Sequence, residues 1–183
     1  MMKSLYTVLF SALYAVCAAQ VPDTTCSGMC IDHIPSVKTI AGPKAWSKLI
    51  TNTNEFPYLI LRNASNSQQV ALIQHYGNPD YNVSEFRVSY VLKDDTNHHY
   101  IRTNIKNFGS GKKITLGMDM ESVQACWDAP GKVYKSNQKT VLQYRIAGRS
   151  SNYLRRHAKT SYYATYTFYN DRLIEFSYGF DYE

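Results

Sequence analysis

The sequence predicts an α+β fold: short helices packed on an antiparallel β-sheet, with two related helix-plus-sheet units in tandem. Three observations carry this expectation. Residues 86–92, 140–146 and 162–169 alternate side chains with the period of a half-buried strand. Residues 66–76 and 119–127 instead space apolar side chains three and four apart, the period of a helix. A helix end closed by Pro and followed by a strand occurs twice, from Leu72 to Pro79 and from Val123 to Pro130, at the same separation.

The elements follow in chain order. Residues 1–19 read as a secretory signal. Lys3 gives the positive start, residues 5–16 are apolar and uncharged, and Cys17-Ala18-Ala19 sets small residues before a cleavage after Ala19. The run is short for a membrane span, and Pro22 follows it. Cys17 invites a lipid anchor, but Val16 stands where lipidation wants Gly, Ala or Ser. Residues 20–44 hold Pro22, Pro35, Pro43, Gly28 and Gly42, which predicts an irregular arm. An exported chain meets an oxidising compartment, so Cys26 and Cys30 are expected to close a small disulfide loop. Cys126 is then odd and reads as a buried free thiol. A metal site on Cys26, Cys30 and His33 lacks a fourth ligand, and neither metal nor cofactor is expected.

Residues 45–108 form the expected first unit. A short helix starts at Ala45, and Tyr58-Leu59-Ile60-Leu61 is a strand or a helix end. Val70, Leu72, Ile73 and Tyr76 stripe a helix over 66–76, which Gly77-Asn78-Pro79-Asp80 stops. A strand over 86–92, an Asp94-Asp95-Thr96-Asn97 turn and a second strand over 99–105 complete it. Gly109-Ser110-Gly111 reads as a flexible hinge into the second unit, residues 109–183. There Asp119 is a helix N-cap, with Met120, Val123 and Trp127 as the apolar stripe. Pro130-Gly131 ends that helix. Three strands follow, over 140–146, 162–169 and 173–180, and Asn170-Asp171 signals a tight hairpin between the last two.

The run from Ile114 through Gly117-Met118 to Val123, then Trp127-Asp128-Ala129-Pro130, resembles the opening of the small β-barrel-assembly lipoproteins (SmpA/OmlA, BamE). The β-lactamase inhibitory proteins share that fold. The likeness covers about residues 110–180. It implies a helical pair packed on an antiparallel sheet and a non-enzymatic binding role. Physically the motif needs no chemistry: Gly117 permits a positive φ, and Met118, Val123 and Trp127 pack. Two sequons, at Asn63 and Asn82, suggest exposed loops.

Composition bounds the function. The chain has 183 residues, 20 Lys+Arg against 14 Asp+Glu, and 44% hydrophobic residues. That is enough for a real core, and it excludes a disordered or polytopic membrane protein. Catalytic motifs are missing. Phe108-Gly109-Ser110-Gly111-Lys112-Lys113 fails as a phosphate loop, because Lys106 and Lys113 stand where Gly and Ser or Thr are needed. His98 and His99 follow Asp94 and Asp95, but neighbouring strand residues point to opposite faces. A small ribonuclease-like hydrolase using His99 or His157 is the alternative reading.

Charge patterning is the sharper signal. Between Asp128 and Asp171 there is no acidic residue, and eight Lys and Arg interleave with Tyr134, Tyr144, Tyr153, Tyr162 and Tyr163. The sequence therefore predicts an exported, non-enzymatic binding module. Its basic surface would consist of Arg145, Arg149, Tyr153, Arg155, Arg156 and Lys159, facing a protein or an anionic envelope component. Export disfavours nucleic acid as that partner.

Overall fold

A computed structural model of the chain describes residues 21–52, 55–76, 82–95 and 98–181. The expected signal with its cleavage after Ala19, and the turn at 77–80, lie outside them. The α+β expectation is overturned, because the described residues are mostly β, 43% strand against 17% helix.

A small hairpin comes first, β1 (Thr25–Cys26) and β2 (Met29–Cys30), then α1 (Ile34–Ala41) with Pro35 in its first turn. β3 (Ile50–Asn52), β4 (Glu55–Arg62), β5 (Gln68–Ile73) and β6 (Glu85–Tyr90) form an antiparallel meander. β7 (Ile101–Arg102) lies parallel to the end of β4. After α2 (Met120–Gln124) come β8 (Lys132–Ser136) and β9 (Lys139–Ala147), then α3 (Asn152–Arg156), β10 (Ser161–Tyr169) and β11 (Arg172–Asp181). β6 pairs with β11, so one nine-stranded sheet runs β3-β4-β5-β6-β11-β10-β9-β8, with β7 beside β4.

The largest correction is at 66–76, which forms strand β5 and not a helix. Val70-Ala71-Leu72-Ile73 is a continuous apolar run, which periodicity alone cannot assign. Pairing on both sides decides it: Val70 and Leu72 face the core, and Ala71 and Ile73 face the other way. The echo between Leu72 and Val123 therefore joins a strand to a helix. Only a 3-10 turn forms over Ala45–Lys48, and the strand expected over 99–105 shortens to β7. β8 was not anticipated, since its lysines mask a strand pattern.

Other expectations hold at atomic detail. Asp119 caps α2 by accepting a hydrogen bond from the Ser122 N–H at 2.8 Å. Gly117 has φ 88°, and its N–H bonds to the Leu173 carbonyl while the Leu173 N–H returns to Met118, both at 2.8 Å. Asn170 and Asp171 both have positive φ, the signature of a type I′ hairpin turn.

One apolar cluster sits beneath the sheet. Leu59, Leu61, Val70, Leu72, Phe86 and Val88 meet Leu142, Ile146, Tyr162, Tyr166, Phe176 and Tyr178 there. Cys26, Met29 and Val37 from the N-terminal stretch, and Phe108, Ile114, Val123, Trp127 and Leu154 from the connections, cover that face. The N-terminal stretch is tied down further, because the Tyr178 hydroxyl donates to the Thr25 carbonyl at 2.5 Å.

The expected Cys26–Cys30 disulfide is not formed, and both are free thiols. In the hairpin Cys26 sits opposite Met29, and Cys30 opposite Thr25, so the two thiols leave on opposite faces. Cys126 is free and half-buried, its thiol against the Ser122 carbonyl. The Gly109-Ser110-Gly111 segment is not a free hinge. The buried Asp23 carboxylate accepts from the Gly111 and Lys112 N–H groups at 3.0 and 2.9 Å. Those donors are thereby withdrawn from any phosphate. The sequon residues are not on exposed loops either. Asn63 is fully buried, accepting from the Ser67 and Gln68 N–H groups and donating to the Lys106 carbonyl, and Asn82 is buried as well.

Candidate binding face

The other face of the sheet carries no described helix or connection from the core cluster. Cross-strand register lays its side chains out in rows. One row reads Tyr58, Ile73, Glu85, Gly179, Tyr163, Arg145 from β4 across to β9. The next reads Ile60, Ala71, Arg87, Ser177, Thr165, Gln143, Lys132. The centre of both rows is small, so the face is a trough with aromatic and charged sides. Ile60 and Ile73 are buried here although they stand outside the core cluster.

Two clefts hollow the trough. The first, about 520 Å³, lies over β8, β9 and β10 and is lined by Lys132, Tyr134, Gln143, Arg145, Tyr163 and Thr165 among others. The second, about 610 Å³, lies over β4, β5 and β6. Its apolar side is Phe56, Tyr58, Ile60 and Ile73, and its polar side includes His75, Glu85 and Arg87. These volumes fall within the range of ligand and anchor-residue sites.

Tyr163 joins the clefts. Its hydroxyl donates to Glu85 Oε2 at 2.6 Å, and His75 Nε2 meets the same oxygen at 3.0 Å. Arg87 donates to Oε1 at 3.0 Å. Gly179 lies directly between Tyr163 and Glu85 in the row. A Cβ there would sit 2.5 Å from the Ser84 carbonyl oxygen and 3.0 Å from Glu85 Cβ. The missing side chain thus lets a tyrosine on β10 reach a carboxylate two strands away. Burial alone would raise the Glu85 carboxyl, but the hydrogen bonds from His75 and Tyr163 and the Arg87 charge outweigh it. The net effect holds Glu85 ionised below the ordinary glutamate range. Burial and the Glu85 charge push the Tyr163 hydroxyl far up, so it remains a donor. Phe56 stacks on the His75 ring at 4.5 Å, which fixes that imidazole. Both Glu85 oxygens are engaged, so the cluster is a positioning network for aromatic rings.

Comparison with family models, curated proteins and solved structures finds no match to this chain. The chemistry of the trough itself must therefore carry the functional reading.

The structure scatters the residues expected to bind. Arg145 lines the first cleft and pairs with Asp181. Arg149, Arg155 and Arg156 are exposed on the connection between β9 and β10, with Arg155 bonded to Asn152. Tyr153 is half-buried between His157 and Phe180, with centroids at 4.4 and 6.4 Å. Lys159 is drawn down onto Asp32 and the Phe180 ring, so it is structural. His99 lies beside Leu49, Ile50 and Tyr58 near β3, while His157 caps α3 near β9, at the opposite end of the sheet. The two histidines do not form one site. Asp95 is engaged by Arg62 at 2.5 Å. Among the described residues no group of His, Cys, Asp and Glu could hold a metal, and no helix is long and apolar enough to cross a membrane.

His75, Glu85 and Tyr163 went unread in the sequence. Alternation along residues 162–169 sets Tyr163 on the face opposite Tyr162, but nothing local marks a partner 78 positions away. Only the two registers that meet at Gly179 bring them together.

Proposed function

We propose that this chain is an exported, non-enzymatic binding module whose trough docks a partner protein. The observation that carries the reading is a sheet face left uncovered by the described elements yet built for contact. It has a floor of small side chains, and Tyr58, Phe56, Tyr163 and Tyr134 stand beside Arg87, Arg145 and Lys132. Tyrosine and arginine around a shallow hollow are the residues that dominate protein interfaces. Rigid positioning of Tyr163 by Glu85 lowers the entropy lost on docking. The signal-like N-terminus supports export, and the motif resemblance over 110–180 agrees with a binding role. The basic surface moves from the 149–159 connection to the β8–β9 side of the trough, where Lys132 and Arg145 flank aromatics.

The experiment compares recovery of partners from host envelope extract by tagged mature protein and two variants. Thr165→Trp fills the trough floor, and Arg149→Glu/Arg155→Glu/Arg156→Glu reverses the connection. Loss of a specific partner with Thr165→Trp, and retention with the triple reversal, is expected. Equal recovery by Thr165→Trp and the unaltered protein would sink the reading.

A further inference from the structure

β8 ends the sheet with its outer edge bare. All five of its residues are exposed, Val133 and Tyr134 keeping 41% and 53% of their surface. Among the described residues no strand pairs with that edge. Ser136 and Lys139 close the hairpin around a two-residue turn, which makes them a hydrogen-bonded pair. Alternation along an antiparallel ladder then turns the N–H and C=O of Val133 and Lys135 away from β9. These groups form a ready template for another strand.

Charge selects the occupant. Lys132, Lys135 and Lys139 lie along the hairpin, and Arg145 follows on β9, where it pairs with Asp181. Antiparallel pairing of β8 with a second copy of itself in full register would set Lys135 opposite Val133 and bring the two Lys135 side chains diagonally together across the seam, which is unfavourable. The same lysines attract an acidic strand, and the first cleft begins at Lys132 and Tyr134.

We infer that the β8 edge takes up an extended acidic segment of the partner protein as an additional antiparallel strand, its alternate side chains meeting Lys132 and Tyr134. This rests on the trough being the docking face and names the segment that the partner supplies beside it.

The probe is a fluorescent peptide of about nine residues alternating Glu and Val, long enough to span β8. Anisotropy measures its binding to the mature chain at low salt. Val133→Pro removes one outward donor at an edge position that tolerates proline. Lys132→Glu/Lys135→Glu keeps the backbone and reverses the charge. Each is expected to weaken binding about tenfold or more. Three results overturn the inference: no binding to the unaltered chain, unchanged binding by both edge variants, or a chain that is itself a dimer dissolved by Val133→Pro. If the peptide is lost with Thr165→Trp alone, the trough reading stands and the edge strand falls. If partner recovery ignores Thr165→Trp while the peptide needs the edge, the trough reading falls instead.

Discussion

Gly179 shows how one missing side chain organises a face. It lets the Tyr163 hydroxyl reach Glu85 across β11, and a Cβ would press on backbone that cannot move aside. Gly179→Ala should therefore cost about 1–3 kcal/mol by overpacking, read as a lowered urea midpoint with unchanged slope. Glu85 gives a pH prediction. Its folded carboxyl titrates below the ordinary glutamate value, so its stabilisation is complete above about pH 4.3 and is lost as pH falls through the folded value. Glu85→Gln should lower stability at pH 7 by about 2 kcal/mol and flatten the acid limb of the stability curve, both measurable by urea titrations from neutral to acid pH. At Cys26, burial pushes the thiol up to about 12, which makes it inert as well as enclosed. A thiol reagent should modify Cys30 in the folded chain and reach Cys26 only on unfolding. Modification of Cys26 at the rate of Cys30 would contradict the buried hairpin.

At the scale of elements, the legible parts were those where local chemistry and packing agree. Asp119 before Met120 and Val123 specifies a cap and a stripe, and α2 forms there with Val123 fully buried. Leu142, Tyr144 and Ile146 on β9, and Tyr162, Tyr166 and Phe168 on β10, alternate into the core as read. Legibility failed where the deciding partner is distant in sequence. Val70 to Ile73 fits a helix or a strand until β4 and β6 pair with it, and the Lys-rich β8 exists only because β9 offers it a ladder. The trough was invisible for the same reason, since Ala71, Ser177 and Thr165 become its floor only through register. The β10–β11 turn gives this scale its test. Asn170 and Asp171 hold φ 47° and 58°, a conformation that costs a non-glycine residue. Asp171→Gly restores the preferred Asn-Gly turn pair and should raise the melting temperature by a few degrees, for about 0.5–1 kcal/mol of relief. A fall would mean that the Asp171 side chain has a role the turn geometry does not show.

For the whole molecule, the decisive contact is β6 against β11. Two four-stranded meanders could each have kept a separate core, but here the ladder runs unbroken between them. Phe86 and Val88 from one meander share a cluster with Phe176 and Tyr178 from the other, and Phe86 meets the Tyr178 ring at 5.8 Å. Separating the meanders would expose two long strand edges and divide that cluster, so neither should survive the unfolding of the other. The chain holds only two tryptophans, which makes this testable by site. Trp46 packs against the cluster beside the first meander, and Trp127 lies under the second, stacked on Tyr144 at 4.1 Å. Trp46→Phe leaves a reporter for the second half, and Trp127→Phe leaves one for the first. Each substitution shifts stability, so each variant's fluorescence transition is compared with its own far-ultraviolet circular dichroism transition. Coincident midpoints and slopes in both variants are expected, because one core must break as a unit. A fluorescence transition that precedes the loss of strand signal in either variant would mean that the halves unfold separately. The β6–β11 ladder would then be a contact between two bodies, and a rigid trough spanning both could not be maintained.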